Sequence, residues 1–141
     1  MQIAKFIEWK DRYNVGNSVI DTDHREITSI INDLYASIHN HSEQAEIRTI
    51  LGRSLKYTLS HFDREERLLG EVMYPDLEKQ KISHRHLAQK TKELFERYSQ
   101  NENGIPLEAM SFLKNWWIDH IIVMDMRYKP YLEEIKKPSS R

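Results

Sequence analysis

The stretch His61-Phe62-Asp63-Arg64-Glu65-Glu66 lies inside a long amphipathic run of the sequence. His61 and Glu65 are four residues apart, so on an α-helix their side chains stack on one face. At that spacing one helix offers an imidazole and a carboxylate to the same metal ion. The pair taken alone is weak evidence for metal, because a charged helix rich in glutamate often contains this spacing by chance. Its meaning therefore depends on the other histidine-bearing segments of the chain.

Composition narrows the class of protein. A chain of 141 residues is long enough for one domain with a single core. It contains no cysteine, which excludes disulfides, thiolate zinc sites and a cysteine nucleophile. The net charge of −1 argues against a nucleic-acid surface or a polybasic membrane anchor. No apolar run approaches the roughly 18 residues of a transmembrane helix, and the N-terminus shows no export signal. We therefore expect a soluble, cytoplasmic protein without nucleic-acid or membrane partners.

Apolar residues recur at intervals of three and four through most of the chain. Ile27, Ile31, Leu34 and Ile38 form one such stripe, which is the pattern of an amphipathic helix. The sequence has only four glycines and four prolines, which favours an all-α protein. We predict one domain over residues 1–141, with an extended arm at 1–19, helices at about 21–39, 43–70, 76–99 and 107–134, and a tail at 135–141. Four such helices with short links predict an up-down-up-down four-helix bundle with an extended N-terminal arm.

Each predicted helix carries a histidine on or near its apolar stripe. A buried ionised carboxylate is costly unless it is paired or bound to a cation, so inward-facing acids need partners. Imidazoles together with carboxylates that can span two ions suit a two-iron centre. The candidate ligands are His24, His61, Glu65, His84, His120 and Asp125.

Each candidate also has an ordinary explanation. His24 can be a first-turn residue satisfied by solvent, and His84 can belong to a solvated face beside Arg85. Asp125 can pair with Arg127. All of these explanations have to hold at once, one on every helix, for the metal hypothesis to fail.

One spacing is imperfect for a shared site. His120 and Asp125 are five residues apart, which separates them by about 140° on an ideal α-helix. Either Asp125 reaches around the helix, or a π-bulge turns it towards His120.

The sequence resembles the hemerythrins, and in particular the single-domain bacteriohemerythrins. The resemblance covers nearly the whole chain and rests on Trp9, Asp21-x-x-His24, His61-Phe62-x-x-Glu65-Glu66, Tyr74-Pro75, His84 and Trp116-x-x-x-His120-Ile121-x-x-x-Asp125. It implies a bundle that binds O₂ reversibly at a non-haem centre of two iron ions, bridged by an oxygen atom and two carboxylates.

The resemblance also implies a role for each ligand. His24 and His61 would hold the iron that keeps an open position for O₂, and His84 and His120 would hold the other iron. Glu65 and Asp125 would bridge the two ions. The apolar pocket over the open iron would be lined by Ile27, Phe62, Trp116, Trp117 and Ile121.

Gln80 is the main departure from this family. The third helix of the family carries His-x-x-x-His, whereas this chain has Gln80 and then His84. Three outcomes follow: Gln80 ligates weakly through its side-chain oxygen, a water bonded to Gln80 fills the position, or that iron binds weakly and leaves a mixed or single-metal site. Trp117 is a second change, since its bulk should narrow the pocket.

Three functions are compatible with these residues. The first is a non-enzymatic protein that binds O₂, or a related diatomic such as NO, for sensing, storage or delivery. The second is a di-iron oxidase or peroxidase-like enzyme that uses the labile position left by Gln80. The third is a metal-poor structural or regulatory helical module.

Overall fold

Four long helical segments make up most of the chain. The computed structural model describes residues 7–40, 43–99 and 105–136, and these contain no β-strand. The first three segments are α1 (Ser18–His39), α2 (Gln44–Glu71) and α3 (Leu77–Ser99). The fourth is composite and runs through α4 (Ile105–Trp116), a π-helical segment (Trp117–Met124), a 3₁₀ turn (Asp125–Tyr128) and α5 (Lys129–Lys136).

The packing of these segments confirms the predicted up-down-up-down bundle. α1 packs on α2 and α4, and α3 packs on the same two helices. Each helix therefore has its two neighbours in a closed ring, with one shared interior. Within the described residues, no helix is both long and apolar enough to cross a membrane.

The first helix begins earlier than the sequence predicted. We expected a start near residue 21, but α1 begins at Ser18. The Asn17 side chain accepts hydrogen bonds from two backbone N–H groups of the first turn, which makes Asn17 the cap. Asp21 instead accepts hydrogen bonds from the N–H groups of Val15 (2.7 Å) and Gly16 (3.2 Å). This carboxylate therefore ties the preceding arm to the helix.

The N-terminal arm lies across the bundle. We expected it to be extended over residues 1–19, but residues 1–6 lie outside the described part and Asp11–Tyr13 form a 3₁₀ turn. The Asn32 side chain exchanges two 2.8 Å hydrogen bonds with the backbone of Ile7. The ring of Tyr13 meets the ring of Trp117 edge-on, with centroids 5.1 Å apart. The arm is therefore fixed to both α1 and the π-helical segment.

The end of α2 is closed by a residue in the left-handed conformation. The Tyr74 N–H donates to the Leu69 carbonyl (2.9 Å) and the Met73 N–H donates to the Gly70 carbonyl (3.2 Å). These two bonds form a Schellman motif. The residue with positive φ is Met73 (φ 56°), not Gly70, which lies inside the last turn of α2.

The fourth segment departs most from its prediction, which was one helix over 107–134. Its middle is π-helical, and the N–H of Asp125 donates to the carbonyl of His120. That hydrogen bond spans five residues, the repeat of a π-helix, so the two residues come onto the same face. Of the two ways considered for Asp125 to reach His120, the structure contains the π-helical one.

The interior has two apolar clusters separated by polar residues. The larger includes Ile27, Phe62 and Ile121. The smaller includes Ile20 and Leu69. Along α1 and α2 the candidate ligands fall between members of the two clusters, so a polar layer crosses the bundle at this level.

Candidate metal centre

Seven polar residues form this layer, and none is more than 2% exposed. Imidazole and carboxylate atoms in the layer form two groups, each close enough to surround one metal ion. The structure thus brings together all six candidate ligands and places Gln80 among them. The seven residues are His24, His61, Glu65, Gln80, His84, His120 and Asp125.

The first group joins α1, α2 and the start of the 3₁₀ turn. His24 Nε2 lies 3.0 Å from Asp125 Oδ2 and 3.5 Å from Glu65 Oε2. His61 Nε2 lies 2.9 Å from the same Glu65 oxygen. Two imidazole nitrogens and one oxygen from each carboxylate therefore converge.

The second group contains the other oxygen of Glu65 with His84 and His120, and the other oxygen of Asp125 lies beside His120. His84 Nε2 lies 3.0 Å from Glu65 Oε1 and 3.1 Å from His120 Nε2. His120 Nε2 lies 3.2 Å from Asp125 Oδ1. Glu65 and Asp125 thus each direct one oxygen towards the first group and the other oxygen towards the second. Two bridging carboxylates have this arrangement.

The candidate ligand atoms are spaced for binding a cation and do not all form hydrogen bonds with one another. His24 Nε2, His61 Nε2 and Asp125 Oδ2 are buried and have no hydrogen-bond partner among the described residues. Each of them nevertheless lies near 3 Å from another candidate ligand atom. Adjacent ligands in an octahedral site with bonds of about 2.1 Å have about this separation. Buried polar atoms without partners are costly, so a bound cation would remove that cost.

Gln80 lies on the side of the second group. Its Nε2 donates hydrogen bonds to Glu65 Oε1 (2.9 Å) and to Asp125 Oδ1. Both acceptors are the carboxylate oxygens directed to the second group. The amide nitrogen therefore lies against the oxygens that a second cation would bind.

The family comparison agrees with this donor set. The family model that matches residues 15–132 is the Hemerythrin HHE cation binding domain. The chain belongs to the hemerythrin family.

Relatives and solved structures extend this match. The bacteriohemerythrin of Stenotrophomonas maltophilia is 31% identical over 120 residues, covering 85% of this chain and 77% of that protein. The hemerythrin-like protein of Naegleria gruberi is 28% identical over 127 residues, covering 88% and 92%. A crystal structure of wild-type hemerythrin is similar at a TM-score of 0.83 and 23% identity, covering 90% of this chain and 98% of that chain. A hemerythrin mutant gives a TM-score of 0.84 at 22% identity, covering 92% and 98%.

Outer hydrogen bonds orient two of the histidines in this hemerythrin. His61 Nδ1 lies 3.0 Å from Asp23 Oδ2, and His84 Nδ1 lies 2.9 Å from Glu66 Oε2. A carboxylate on the far ring nitrogen fixes the tautomer that presents Nε2 to a metal. Asp23 is itself held by Arg64 through two hydrogen bonds of 2.8 and 2.7 Å, and by the hydroxyl of Tyr57.

Several residues of the site were not predicted from the sequence. Asp23 precedes His24 in the chain but orients His61 on the next helix. Tyr128 is fully buried, and its hydroxyl donates to Glu65 Oε2 at 3.0 Å. Ser83 Oγ lies 3.4 Å from His120 Nδ1. No periodic signal marks these contacts, because each joins residues from different helices.

The buried charges shift one another's protonation. Burial alone would lower the pKa of His24, but the carboxylates of Asp125 and Glu65 raise it to about 9. Burial alone would raise the pKa of Glu65, but the imidazoles of His61, His120 and His24 hold it well below its usual range. Without metal, the layer therefore favours an ionised Glu65 beside a protonated His24. Metal ions have to displace that proton to bind.

The five residues predicted to line the pocket are all buried, and two of them stack on histidines of the second group. Phe62 stacks on the ring of His84, with centroids 3.9 Å apart and planes 7° apart. Trp116 stacks on the ring of His120 (5.5 Å, 13°). These two rings therefore wall the second group, and Phe62 also lies beside His61 of the first group, with ring centroids 5.9 Å apart. The remaining lining residues, Ile27, Trp117 and Ile121, are also buried.

Trp117 is anchored close to the first group. Its Nε1 donates a 2.8 Å hydrogen bond to Thr28 Oγ1, and Thr28 donates to the backbone carbonyl of His24. The indole therefore has a fixed place between the arm and the first group.

Proposed function

We propose that this protein binds two iron ions in the polar layer and, through them, O₂ or a related diatomic such as NO, for storage, delivery or sensing. The observation that carries the proposal is the division of each carboxylate between two groups of imidazoles. When bound, iron supplies the electrons that reversible O₂ binding requires. The names of the relatives, bacteriohemerythrin and hemerythrin-like protein, support the same class of protein.

The side chains have distinct tasks under this proposal. His24 and His61 hold one ion, and His84 and His120 hold the other. Glu65 and Asp125 bridge them. Asp23 and Glu66 keep the histidine rings in the tautomer that presents Nε2 to the ions.

The walls of the site favour a small ligand and exclude water. Ile27, Ile121 and Trp117 are each 6% exposed or less, and Tyr13 covers Trp117 from the arm. A dry, apolar wall keeps water and stray protons from a bound ligand. A site enclosed by such buried side chains suits a diatomic molecule better than an organic substrate.

Gln80 favours a second candidate, a di-iron oxidase or peroxidase-like enzyme. Where the resemblance calls for a third imidazole in the second group, the chain places an amide. A metal ion with one fewer protein ligand keeps a position that exchanges more readily, as catalytic metal sites do.

The test is the iron content of the purified protein, together with its optical spectrum as the reduced, anaerobic form meets air. Two irons per chain and a visible band that appears with O₂ and disappears on its removal support reversible binding. Two irons with rapid, irreversible oxidation favour the enzyme, which peroxide turnover with a reducing substrate then checks. Substoichiometric metal, with no change in melting on adding iron, leaves a structural or regulatory module.

A further inference from the structure

The two groups of ligands differ in how well their atoms are satisfied without metal. In the first group, His24 Nε2, His61 Nε2 and Asp125 Oδ2 have no hydrogen-bond partner among the described residues. In the second group, every ligand atom has a partner. His84 Nε2 contacts Glu65 Oε1 and His120 Nε2. The first-group atoms do face opposite charges about 3 Å away, but without hydrogen bonds, so the first group gains more from a cation than the second.

Gln80 contributes to this difference through the carboxylate oxygens on the side of the second group. Its amide nitrogen carries two N–H donors, and it donates to Glu65 Oε1 and Asp125 Oδ1. Both acceptors are ionisable oxygens of the bridging carboxylates, and Gln80 is 1% exposed. The amide thus presents its positive end to the oxygens where a second cation would bind.

We propose that the metal ions bind in two unequal steps. An ion enters the first group early and tightly, whereas the second group accepts an ion only after the Gln80 amide turns away from the carboxylates. A one-metal form, with the amide in the place of the second ion, is then a stable state of the protein. This inference rests on the proposed function in one respect, that the polar layer binds metal at all.

The unequal steps follow from what each ion gains and displaces. An ion in the first group satisfies three buried atoms that lack hydrogen bonds and otherwise only face opposite charges about 3 Å away, so its binding removes a desolvation cost. An ion in the second group has to replace two hydrogen bonds to carboxylates, which are stronger than neutral ones. In this group, only two imidazoles, those of His84 and His120, are available as ligands. Turning the amide by 180° exchanges its nitrogen for Oε1, which then becomes available as a neutral oxygen ligand.

The stepwise order is measured by titrating the metal-free protein with Fe(II) under anaerobic conditions. Native mass spectrometry counts the ions on each chain, and calorimetry gives the two dissociation constants. We expect a one-iron species to accumulate up to one equivalent. We also expect a second dissociation constant at least about tenfold above the first, a difference of about 1.4 kcal/mol.

Gln80→Glu tests the cause, because it keeps the shape of the side chain and replaces the N–H donors with an acidic oxygen. We expect this variant to bind the second iron more tightly and to lose most of the one-iron species. Gln80→His should act in the same direction, because it supplies a third imidazole. It provides a second test if Gln80→Glu folds poorly. Gln89→Glu is the matched control, since it adds the same charge at an exposed position of α3. It should leave the gap between the two constants unchanged.

The outcomes separate this inference from the proposed function. Two irons that bind together in the native protein, with no one-iron species, overturn the stepwise order and leave the function standing. A gap that persists in both Gln80 variants overturns the role of Gln80. No iron on any variant overturns the proposed function itself. The location of the first ion is checked with His84→Ala, which should keep the tight iron, and His61→Ala, which should lose it.

Discussion

At the scale of single residues, Glu65 has the most demanding position in the molecule. Its Oε2 accepts from the Tyr128 hydroxyl and faces the nitrogens of His24 and His61. Its Oε1 meets His84 Nε2 and the Gln80 amide. The side chain is 0% exposed. One carboxylate therefore links helices α1, α2 and α3 and the 3₁₀ turn.

Replacing Glu65 should remove a ligand from both groups. We expect Glu65→Ala to lose bound iron, because the four imidazoles then share one carboxylate. Glu71→Ala is the control, since Glu71 is an exposed acid at the end of the same helix. The measurement is iron per chain after loading. Two irons retained by Glu65→Ala would show that this carboxylate is not a bridge.

Trp117 should control the entry of ligands larger than diatomics. We expect Trp117→Leu to bind azide faster than the native protein, because the indole fills space between the arm and the first group. Thr28→Val removes the hydrogen bond to the indole but keeps the indole itself. This variant therefore separates the effect of the hydrogen bond from the effect of the bulk of Trp117. Stopped-flow absorbance of the iron-loaded protein measures the rate. Equal azide rates in the native protein and in Trp117→Leu contradict the idea.

The sequence predicted the six ligand candidates because periodicity places a residue on the inner face of its own helix. It did not predict Asp23 or Tyr128, because their contacts depend on how two helices meet. Gln80 was predicted as the departure from the family pattern on the third helix. Its hydrogen bonds to both carboxylates were visible only in three dimensions.

At the scale of elements, the π-helical segment decides whether Asp125 faces the site. Exchanging Met124 and Asp125, by Met124→Asp with Asp125→Met, moves the carboxylate to the position that a regular α-helix would align with His120. In the π-helix that position is turned away, so we expect the exchange to reduce bound iron. Met124→Leu is the control and should load fully. Full iron loading by the exchanged protein would mean that this segment is α-helical in solution.

The end of α2 holds removable strain. Met73 is 85% exposed and has φ 56°, a region that costs an L-residue about 1–2 kcal/mol. We expect Met73→Gly to raise the free energy of unfolding by about 1 kcal/mol, after allowing for the extra freedom of glycine in the unfolded chain. Val72→Gly, at φ −89°, should be destabilising. Denaturant titration of both variants measures the effect, and a less stable Met73→Gly protein contradicts it.

Helix ends were harder to predict than helix interiors. The first helix was predicted to begin near residue 21, but Asn17 caps it four residues earlier and Asp21 binds the arm. The fourth segment was predicted as one helix because apolar spacing hardly distinguishes a π-helix from an α-helix. Only the five-residue gap between His120 and Asp125 indicated a departure.

At the scale of the whole molecule, a layer of buried charge lies between two apolar clusters. Such a layer weakens the fold unless its atoms find partners. The bundle is therefore built around a site that a cation would stabilise. Without metal, shared protons and the Gln80 amide supply part of that stabilisation.

Loading with iron should therefore raise the melting temperature. A free metal concentration of about 1,000 times the dissociation constant adds about 4 kcal/mol to the free energy of unfolding. For a domain of this size that is a shift on the order of 10 °C. Calorimetry of metal-free and iron-loaded protein measures it. His61→Ala is the control, and it should show a smaller shift.

The most direct test of the account is anomalous scattering at the iron absorption edge from crystals grown with excess Fe(II). We predict two peaks on opposite sides of the Glu65 and Asp125 carboxylates. One peak should lie against His24 and His61, and the other against His84 and His120. A single peak in excess iron, or peaks outside the polar layer, would contradict the bridged two-ion centre.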